Sequence, residues 1–243
     1  MEPALYERIY SLQESHWWYK SRERFLDVLL RNLPGEGEIL DVGCGPGSML
    51  HYFGRYGNVI GLDRYFPALR MCRSHFSGSL IQGDCRSLPF ADGSFTFIAA
   101  CEVLYHRQIT DVASVVREFY RVLKPGGALL LIDSAYAACY SDHDLVAHGA
   151  RRFKREDLVS IMEEAGVEVV HATYAYALLL PVVWFLRRFK ALFHIKGGKG
   201  GELHRTWGPL NSLVIRWFSF EAAIAGRLGL PFGLSIQILG RKS

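Results

Sequence analysis

The sequence of 243 residues is poor in several features that would each mark a particular class of protein. Its five cysteines are scattered and include no Cys-x-x-Cys pair, so we expect reduced thiols, no metal site and a cytoplasmic location. The first residues, among them Glu2, Glu7 and Arg8, lack the charged-then-apolar pattern of a signal peptide. No internal repeat or long low-complexity linker divides the chain, which favours a single domain over residues 1–243.

High charge and long apolar runs are also missing. The formal net charge of +4 is weaker than the dense basic face of a nucleic-acid-binding protein, so we expect no nucleic-acid partner. Residues 172–186 are almost free of charge, but the run is too short for a comfortable membrane span and Pro181 interrupts it. We therefore interpret it as a buried or interfacial segment.

The sequence does contain short apolar runs that alternate with longer amphipathic ones. Apolar strands of this kind are buried on both faces, as in a parallel sheet covered by helices. The predicted strands are residues 39–42, 59–63, 79–82, 95–99 and 128–133. A predicted helix over 111–123 ends at Lys124-Pro125-Gly126-Gly127. The β-α-β-α-β order predicts an α/β fold with an open doubly wound sheet, which binds ligands beyond the carboxyl ends of its strands.

Two flanking regions complete the predicted organisation. We expect an N-terminal helical cap over residues 1–38, a core over 39–171, a helical insertion over 172–232 and a last strand within 233–243. Within the core, a helix follows Arg155 and ends at Gly166, and a strand follows it.

The first predicted strand ends in Asp41-Val42-Gly43-Cys44-Gly45-Pro46-Gly47. Alternate glycines permit positive φ and let a ligand lie against bare backbone, with amide donors where the loop opens into a helix. Asp63 ends the next strand twenty residues after Gly43, where a carboxylate can accept both hydroxyls of a ribose. A dinucleotide loop needs Gly-x-Gly-x-x-Gly, and Ser48 stands at its third glycine, which disfavours a nicotinamide oxidoreductase.

On these residues the sequence resembles the class I S-adenosylmethionine-dependent methyltransferases of the small-molecule type. The matching pieces, in the family's order, are Asp41 to Gly47, Asp63, Gly83-Asp84 with Leu88-Pro89-Phe90, Asp92-Gly93-Ser94-Phe95 and Leu123-Lys124-Pro125-Gly126-Gly127. The resemblance implies a Rossmann-like, mostly parallel sheet of seven strands with helices on both faces. It also implies an enzyme that uses S-adenosyl-L-methionine.

The resemblance assigns roles to matching positions of this chain. Gly43, Cys44 and Gly45 are expected at the methionine part of the cofactor, with Asp41 orienting or bracing the loop. Asp63, with Arg64 beside it, is expected at the ribose, and Asp84 with the Cys85 backbone at the adenine. Cys101 and Glu102 are expected at the methionine end or the reactive centre. Cys44 itself is best interpreted as a small residue filling a tight turn.

Transfer of a sulfonium methyl group is an in-line displacement that depends on alignment, and a hydroxyl or ammonium acceptor also needs a general base. His106, which follows Tyr105 after the fourth strand, is the candidate base, with His16, His143 and His148 as alternatives. A structural role is open for each of them. Carbon methylation needs a weaker base or none, so the acceptor atom stays open.

The flanks carry further signals. His16-Trp17-Trp18-Tyr19 with Arg22 and Arg24 resembles the opening of a bacterial methyltransferase subgroup, as do Arg151-Arg152-Phe153, Pro209-Leu210-Asn211, Glu221 and Leu230-Pro231-Phe232-Gly233 further along the chain. The subgroup usually has paired arginines where this chain has Arg22-Glu23-Arg24. The aromatic run is either core packing or a lid over the site.

The region from Tyr174 to Phe220 combines apolar and aromatic runs with basic residues, namely Arg187, Arg188, Lys190, Lys196, Lys199 and Arg205. It suits a helical cover over the site, and as an alternative peripheral contact with the inner face of a membrane or a lipid-linked acceptor. Glycines around Lys199 predict a mobile loop. The leading hypothesis is methyl transfer to a small-molecule or lipid- or glycan-linked acceptor, and the alternative is a cofactor-binding accessory protein without turnover.

Overall fold

The computed structural model describes residues 1–33, 36–193 and 206–243. One sheet is formed by seven strands: β1 (Glu38–Val42), β2 (Asn58–Asp63), β3 (Ser79–Gln82), β4 (Phe95–Cys101), β5 (Leu123–Ser134), β6 (Val167–Ala175) and β7 (Ser235–Lys242). Their order is β3-β2-β1-β4-β5-β7-β6. The first five strands are parallel, and β7 runs antiparallel to both β5 and β6. The predicted doubly wound, mostly parallel sheet is therefore confirmed.

The described helices are α1 (Pro3–Leu12), α2 (Trp17–Leu29), α3 (Leu50–Phe53), α4 (Phe66–Arg73), α5 (Val112–Val122), α6 (Asp142–Val146), α7 (Arg155–Glu164), α8 (Leu179–Leu192) and α9 (Gly208–Leu228). Helix α5 buries an apolar stripe, and the Asp111 carboxylate caps the helix by accepting from the Ser114 amide at 2.9 Å; the stripe is Val112, Val115, Val116, Phe119 and Val122. Helices lie on both faces of the sheet and cover two separate apolar clusters.

Strand β6 extends past the predicted boundary between the core and the helical insertion. It continues to Ala175, so residues 172–175, which we assigned to the helical insertion, belong to the sheet and pair with β7. The physical reason is that β7 returns along the whole length of β6 and supplies hydrogen-bond partners beyond residue 171. The predicted glycine-rich loop around Lys199, with Lys196 and Arg205, lies outside the described residues, as does the side chain of Lys190.

The N-terminal helical cap and α9 are joined by hydrogen bonds and by aromatic stacking. The backbone amide of Trp17, at the start of α2, donates to Asn211 Oδ1 at 2.8 Å, and Asn211 Nδ2 donates to the Ser15 carbonyl at 2.9 Å. Trp18 stacks on Tyr176 with ring centroids 4.6 Å apart, and Trp17 stacks on Phe218 at 5.8 Å. In the described part of the chain, no helix is both long and apolar enough to cross a bilayer.

Candidate active site

A cavity of about 1270 Å³ lies beyond the carboxyl ends of β1, β2 and β4, where parallel α/β sheets bind ligands. Its wall contains every predicted site residue except Asp41: Gly43, Cys44, Gly45, Asp63, Arg64, Asp84, Cys85, Cys101, Glu102 and His106. Ligand pockets commonly measure about 300–1,000 Å³. This cavity is therefore large enough for two ligands side by side.

The glycine loop after β1 has the backbone that its sequence predicts. Gly43, Gly45 and Gly47 have φ of +70°, +54° and +93°, a region that favours glycine. A Cβ atom on Gly43 would lie 2.6 Å from Val103 Cγ2, so this position also lacks room for a side chain. The loop thus presents bare backbone to the cavity.

Asp63 holds this loop in place. Its Oδ2 accepts from the Gly45 amide at 2.9 Å and its Oδ1 from the Tyr65 amide at 2.8 Å. Burial raises the pKa of the carboxyl, while these two amide donors act in the opposite direction. Each carboxylate oxygen has a second lone pair, so Asp63 can accept from a ligand as well.

Asp84 and Arg64 form a more exposed part of the wall. Arg86 donates to both Asp84 oxygens, from Nη2 to Oδ2 at 2.7 Å and from Nε to Oδ1 at 3.0 Å. These hydrogen bonds lower the pKa of Asp84, which keeps it an acceptor. Arg64 hydrogen-bonds Gln108 and lies 4.0 Å from Asp84 Oδ2.

Glu102, directly after β4, is held by partners that the sequence did not predict. Arg22 Nη2 lies 3.3 Å from Glu102 Oε1, and Ser134 Oγ donates to Oε2 at 3.0 Å. Glu102 has φ of +60°, an uncommon conformation for this residue that is characteristic of functional loops. In the sequence, only its position after the His-Trp-Trp motif indicated that Arg22 was of interest.

Asp41 lies behind the wall. It is buried, and its pKa is raised to about 8, first by burial and then by the charge of Asp63. This placement fits the bracing role that we expected for Asp41, and the structure does not bring it to the cavity surface. Cys44 is also buried, and burial holds the pKa of its thiol well above the usual value, as suits a residue that fills a turn.

All four candidate histidines, His16, His106, His143 and His148, line the cavity. The pKa of His106 is lowered to about 4, first by burial and then by the positive charge of the Met1 amino group, whose nitrogen lies 3.4 Å from His106 Nε2. His106 is therefore neutral at physiological pH. His16 caps α2, because its Nδ1 accepts from the Trp18 amide at 3.2 Å.

A buried ion pair between Arg152 and Asp144 forms another part of the cavity wall. Arg152 Nε and Nη2 lie 2.8 and 3.2 Å from the Asp144 carboxylate oxygens, and Arg152 also donates to the Ala135 carbonyl at 3.1 Å. Asp144 Oδ2 accepts from the Ser141 amide at 2.8 Å, which caps α6. The pair fixes α6 to the end of β5.

The aromatic run packs in the core and also borders the cavity. Trp17, Trp18 and Tyr19 line the cavity, and the two tryptophans also stack on the core aromatics described above. The structure thus shows the packing role, and a lid over the site stays a prediction. The contact with α9 could not be read from the sequence, because Trp17 and Asn211 are 194 positions apart.

The wall fits the cofactor that the resemblance implies. A bare glycine backbone, the Asp63 carboxylate one strand away and the ionised Asp84 beyond it follow one another along the edge of the sheet. This order of donors and acceptors matches a ligand with an amino-acid part, a ribose and an adenine.

The family profile described as "Methyltransferase domain" matches residues 40–131. An uncharacterised methyltransferase of Synechocystis sp. is 30% identical over 161 residues, which cover 61% of this chain and 76% of that protein. The malonyl-[acyl-carrier protein] O-methyltransferase of Pseudescherichia vulneris is 30% identical over 206 residues, 79% of each chain. A demethylmenaquinone methyltransferase of Listeria monocytogenes is 37% identical over 107 residues, 40% of this chain and 44% of its own length.

Solved structures share the fold at low sequence identity. An S-adenosylmethionine-dependent methyltransferase from Archaeoglobus fulgidus has a TM-score of 0.59 at 16% identity, with 93% of each chain covered. The [4+2]-cyclase SpnF has a TM-score of 0.59 at 20% identity and covers 93% of this chain and 83% of its own. The cyclase illustrates that this fold alone does not define the reaction.

Proposed function

Because this chain belongs to the class I S-adenosylmethionine-dependent methyltransferases and uses S-adenosylmethionine as its cofactor, we propose that its acceptor is a small molecule with a large apolar part. The size of the cavity carries this proposal, since about 1270 Å³ leaves a second compartment beside the cofactor wall. That compartment is bordered by Leu179, Val183 and Leu186 of α8 and by Trp17 and Trp18 of α2. Apolar walls of this kind bind ligands by removing apolar surface from water.

In this proposal the chain's residues bind and align the two ligands. Asp63 accepts the ribose hydroxyls, Asp84 and the Cys85 backbone hold the adenine, and Gly43, Cys44 and Gly45 contact the methionine part. Cys101 and Glu102 face the reactive end, and Arg64 closes the ribose side. Once bound, the cofactor supplies an activated methyl group, so alignment by these residues provides much of the rate enhancement.

His106 is the proposed general base, and it yields a distinct pH prediction. Because its pKa is about 4, His106 is already in the proton-accepting form throughout the physiological range. We expect kcat/KM to show no acid limb near pH 6.5, the ordinary pKa of histidine. A low pKa makes a weak base, so His106→Gln is expected to lower kcat by about 10²-fold, the lower end of general-base effects.

The control for this prediction is His51→Gln, which changes an exposed histidine outside the cavity wall. Calorimetry with S-adenosylmethionine should give the same affinity for both variants as for the wild type. If His106→Gln keeps kcat within threefold of the wild type, the base assignment is wrong and His106 has a structural role.

The acceptor class is tested by following the label from methyl-labelled S-adenosylmethionine into cell extracts. We expect the label in the fraction that partitions into organic solvent. Transfer should be lost with Asp63→Ala. Label that appears only in the water-soluble fraction would contradict an apolar acceptor while leaving the methyltransferase itself intact.

We also propose peripheral contact with a membrane, on the cytoplasmic side, as the setting in which such an acceptor is met. The exposed apolar side chains of α8 and α9 support this partner. The alternative function, an accessory protein that binds the cofactor without turnover, is not favoured, because the relatives matched over most of their length are named as methyltransferases.

A further inference from the structure

Helix α8 has two apolar faces that meet different surroundings. Leu179, Val183 and Leu186 line the cavity, with Leu186 also 51% exposed, and Val182 and Phe185 are 52% and 64% exposed outside it. The spacing of each set is that of one side of an α-helix. A single helix therefore separates the acceptor compartment from the outer surface of the protein.

Helix α9 extends the same exposed surface. Leu210, Leu213, Trp217 and Phe220 recur at intervals of three and four residues and are exposed, with Leu213 and Phe220 above 60%. An apolar groove of about 270 Å³ joins the two helices, with Leu178 and Leu179 on the α8 side and Val214, Trp217 and Phe218 on the α9 side. Leu179 borders both this groove and the cavity. We call the exposed faces of α8 and α9, with this groove, the α8–α9 surface.

The charged side chains that α8 and α9 expose in the described part of the chain have one sign. The sequences of α8 and α9 contain five basic residues and one acidic residue, Glu221. Glu221 is buried and accepts from the Ala177 amide at 2.8 Å, so it does not reach this surface. Exposed Arg188, Arg216 and Arg227 therefore have no acidic neighbour on the described part of these helices.

This charge pattern distinguishes between two occupants of the surface. In a symmetric dimer the same patch meets itself, which would place arginines of one copy against arginines of the other. An anionic bilayer instead neutralises the arginines while its acyl region accepts the apolar side chains. Exposed Trp184, Trp207 and Trp217 add the residue type that favours the boundary between headgroups and acyl chains.

We propose that the α8–α9 surface docks on an anionic phospholipid bilayer. This places α8 between the lipid and the acceptor compartment, so that an acceptor carried in the membrane reaches the cavity along the groove beside Leu179. The inference rests on the proposed function for the nature of the acceptor. Docking itself is measured without any acceptor.

The first experiment is flotation of the full chain with two kinds of vesicle, phosphatidylcholine alone and phosphatidylcholine mixed with phosphatidylglycerol. The wild type is expected to float with the mixed vesicles and much less with the neutral ones. Phe185 and Phe189 are both exposed on α8, and Phe185→Ser with Phe189→Ser should lower the partition coefficient at least about tenfold, because two large apolar groups leave the acyl region. The control Val170→Ser, an equally exposed apolar residue of β6, should bind like the wild type.

Separate substitutions test the electrostatic contribution to vesicle binding. Arg216→Gln and Arg227→Gln should each lower binding to the mixed vesicles by about fivefold, since one basic residue near an anionic surface contributes about that factor. Arg70→Gln, exposed on α4, which packs on β2 and β3, is the matched control and should bind like the wild type. Raised salt should reduce the difference between the two vesicle types.

Wild-type protein that stays with the soluble fraction in both vesicle preparations would overturn the inference. A dimer of the wild type in light scattering would also overturn it, if Phe185→Ser with Phe189→Ser converted that dimer to monomers. Calorimetry with S-adenosylmethionine on the same preparations distinguishes failure of the docking surface from failure of the cofactor site. Normal cofactor affinity without flotation rejects the docking surface alone, and absence of cofactor binding rejects the assigned cofactor site.

Discussion

Replacing Asp63 with alanine is expected to weaken S-adenosylmethionine binding by about a hundredfold, the equivalent of roughly 2.7 kcal/mol. The substitution removes the acceptor proposed for the ribose, and hydrogen bonds to a charged group contribute about 1.5–3 kcal/mol. It also releases the Gly45 and Tyr65 amides that Asp63 holds at 2.9 and 2.8 Å, so the glycine loop loses its brace. Calorimetry with the cofactor and with its demethylated product measures the effect.

The matched control is Asp92→Asn, which alters an exposed carboxylate that pairs with Arg121 away from the cavity. Thermal unfolding should show that both variants remain folded. Cofactor affinity of Asp63→Ala within threefold of the wild type would contradict the ribose assignment. A loss of affinity for the cofactor and its product alike is the expected pattern, because both carry the same ribose.

Replacing Arg152 with methionine is expected to lower the free energy of unfolding by about 3–5 kcal/mol, the usual cost of breaking a buried ion pair from one side. Side-chain exposure is 4% for Arg152 and 2% for Asp144, so the carboxylate that remains would be desolvated and unpaired. Without the pair, α6 is no longer fixed to the end of β5. Because α6 borders the cavity, the catalytic rate should fall together with the free energy of unfolding. Urea unfolding monitored by tryptophan fluorescence is the measurement.

A double-mutant cycle tests whether the two groups act as a pair. Asp144→Asn with Arg152→Met should cost less than the sum of the two single variants, because no unpaired charge then remains. Arg24→Met provides the exposed counterpart, since the Arg24–Asp27 pair lies at the surface and is expected to contribute at most about 1 kcal/mol. Strictly additive effects of Asp144→Asn and Arg152→Met would contradict the coupling.

Much of the cofactor site could be predicted because its determinants are local. The glycines of the loop after β1 permit the positive φ that the loop adopts, and Asp63 ends β2, directly after a run of mostly apolar residues. Parallel strands bring their carboxyl ends to one edge, so Gly43, Asp63 and Asp84 converge by topology alone. The resemblance to the methyltransferases added Glu102, which directly follows β4.

The partners of those residues were not predictable, because they come from distant parts of the chain. Arg22 reaches Glu102 across 80 positions, and Ser134 reaches it across 32. The low pKa of His106 also depends on burial and on cationic neighbours that only the folded chain assembles. Sequence reasoning identified His106 as a candidate and had no means of finding its protonation state.

By itself, the sequence determined the parallel strands and the glycine loop, since both follow from short-range pattern and backbone preference, and its resemblance to the methyltransferases implied the cofactor. Tertiary structure alone decided that Trp17 and Asn211 join the two flanks and that α8 turns one apolar face to the cavity and another outward. Such contacts depend on how helices from both ends of the chain pack over the sheet. Packing is a property of the whole folded chain, and no local pattern of residues specifies it.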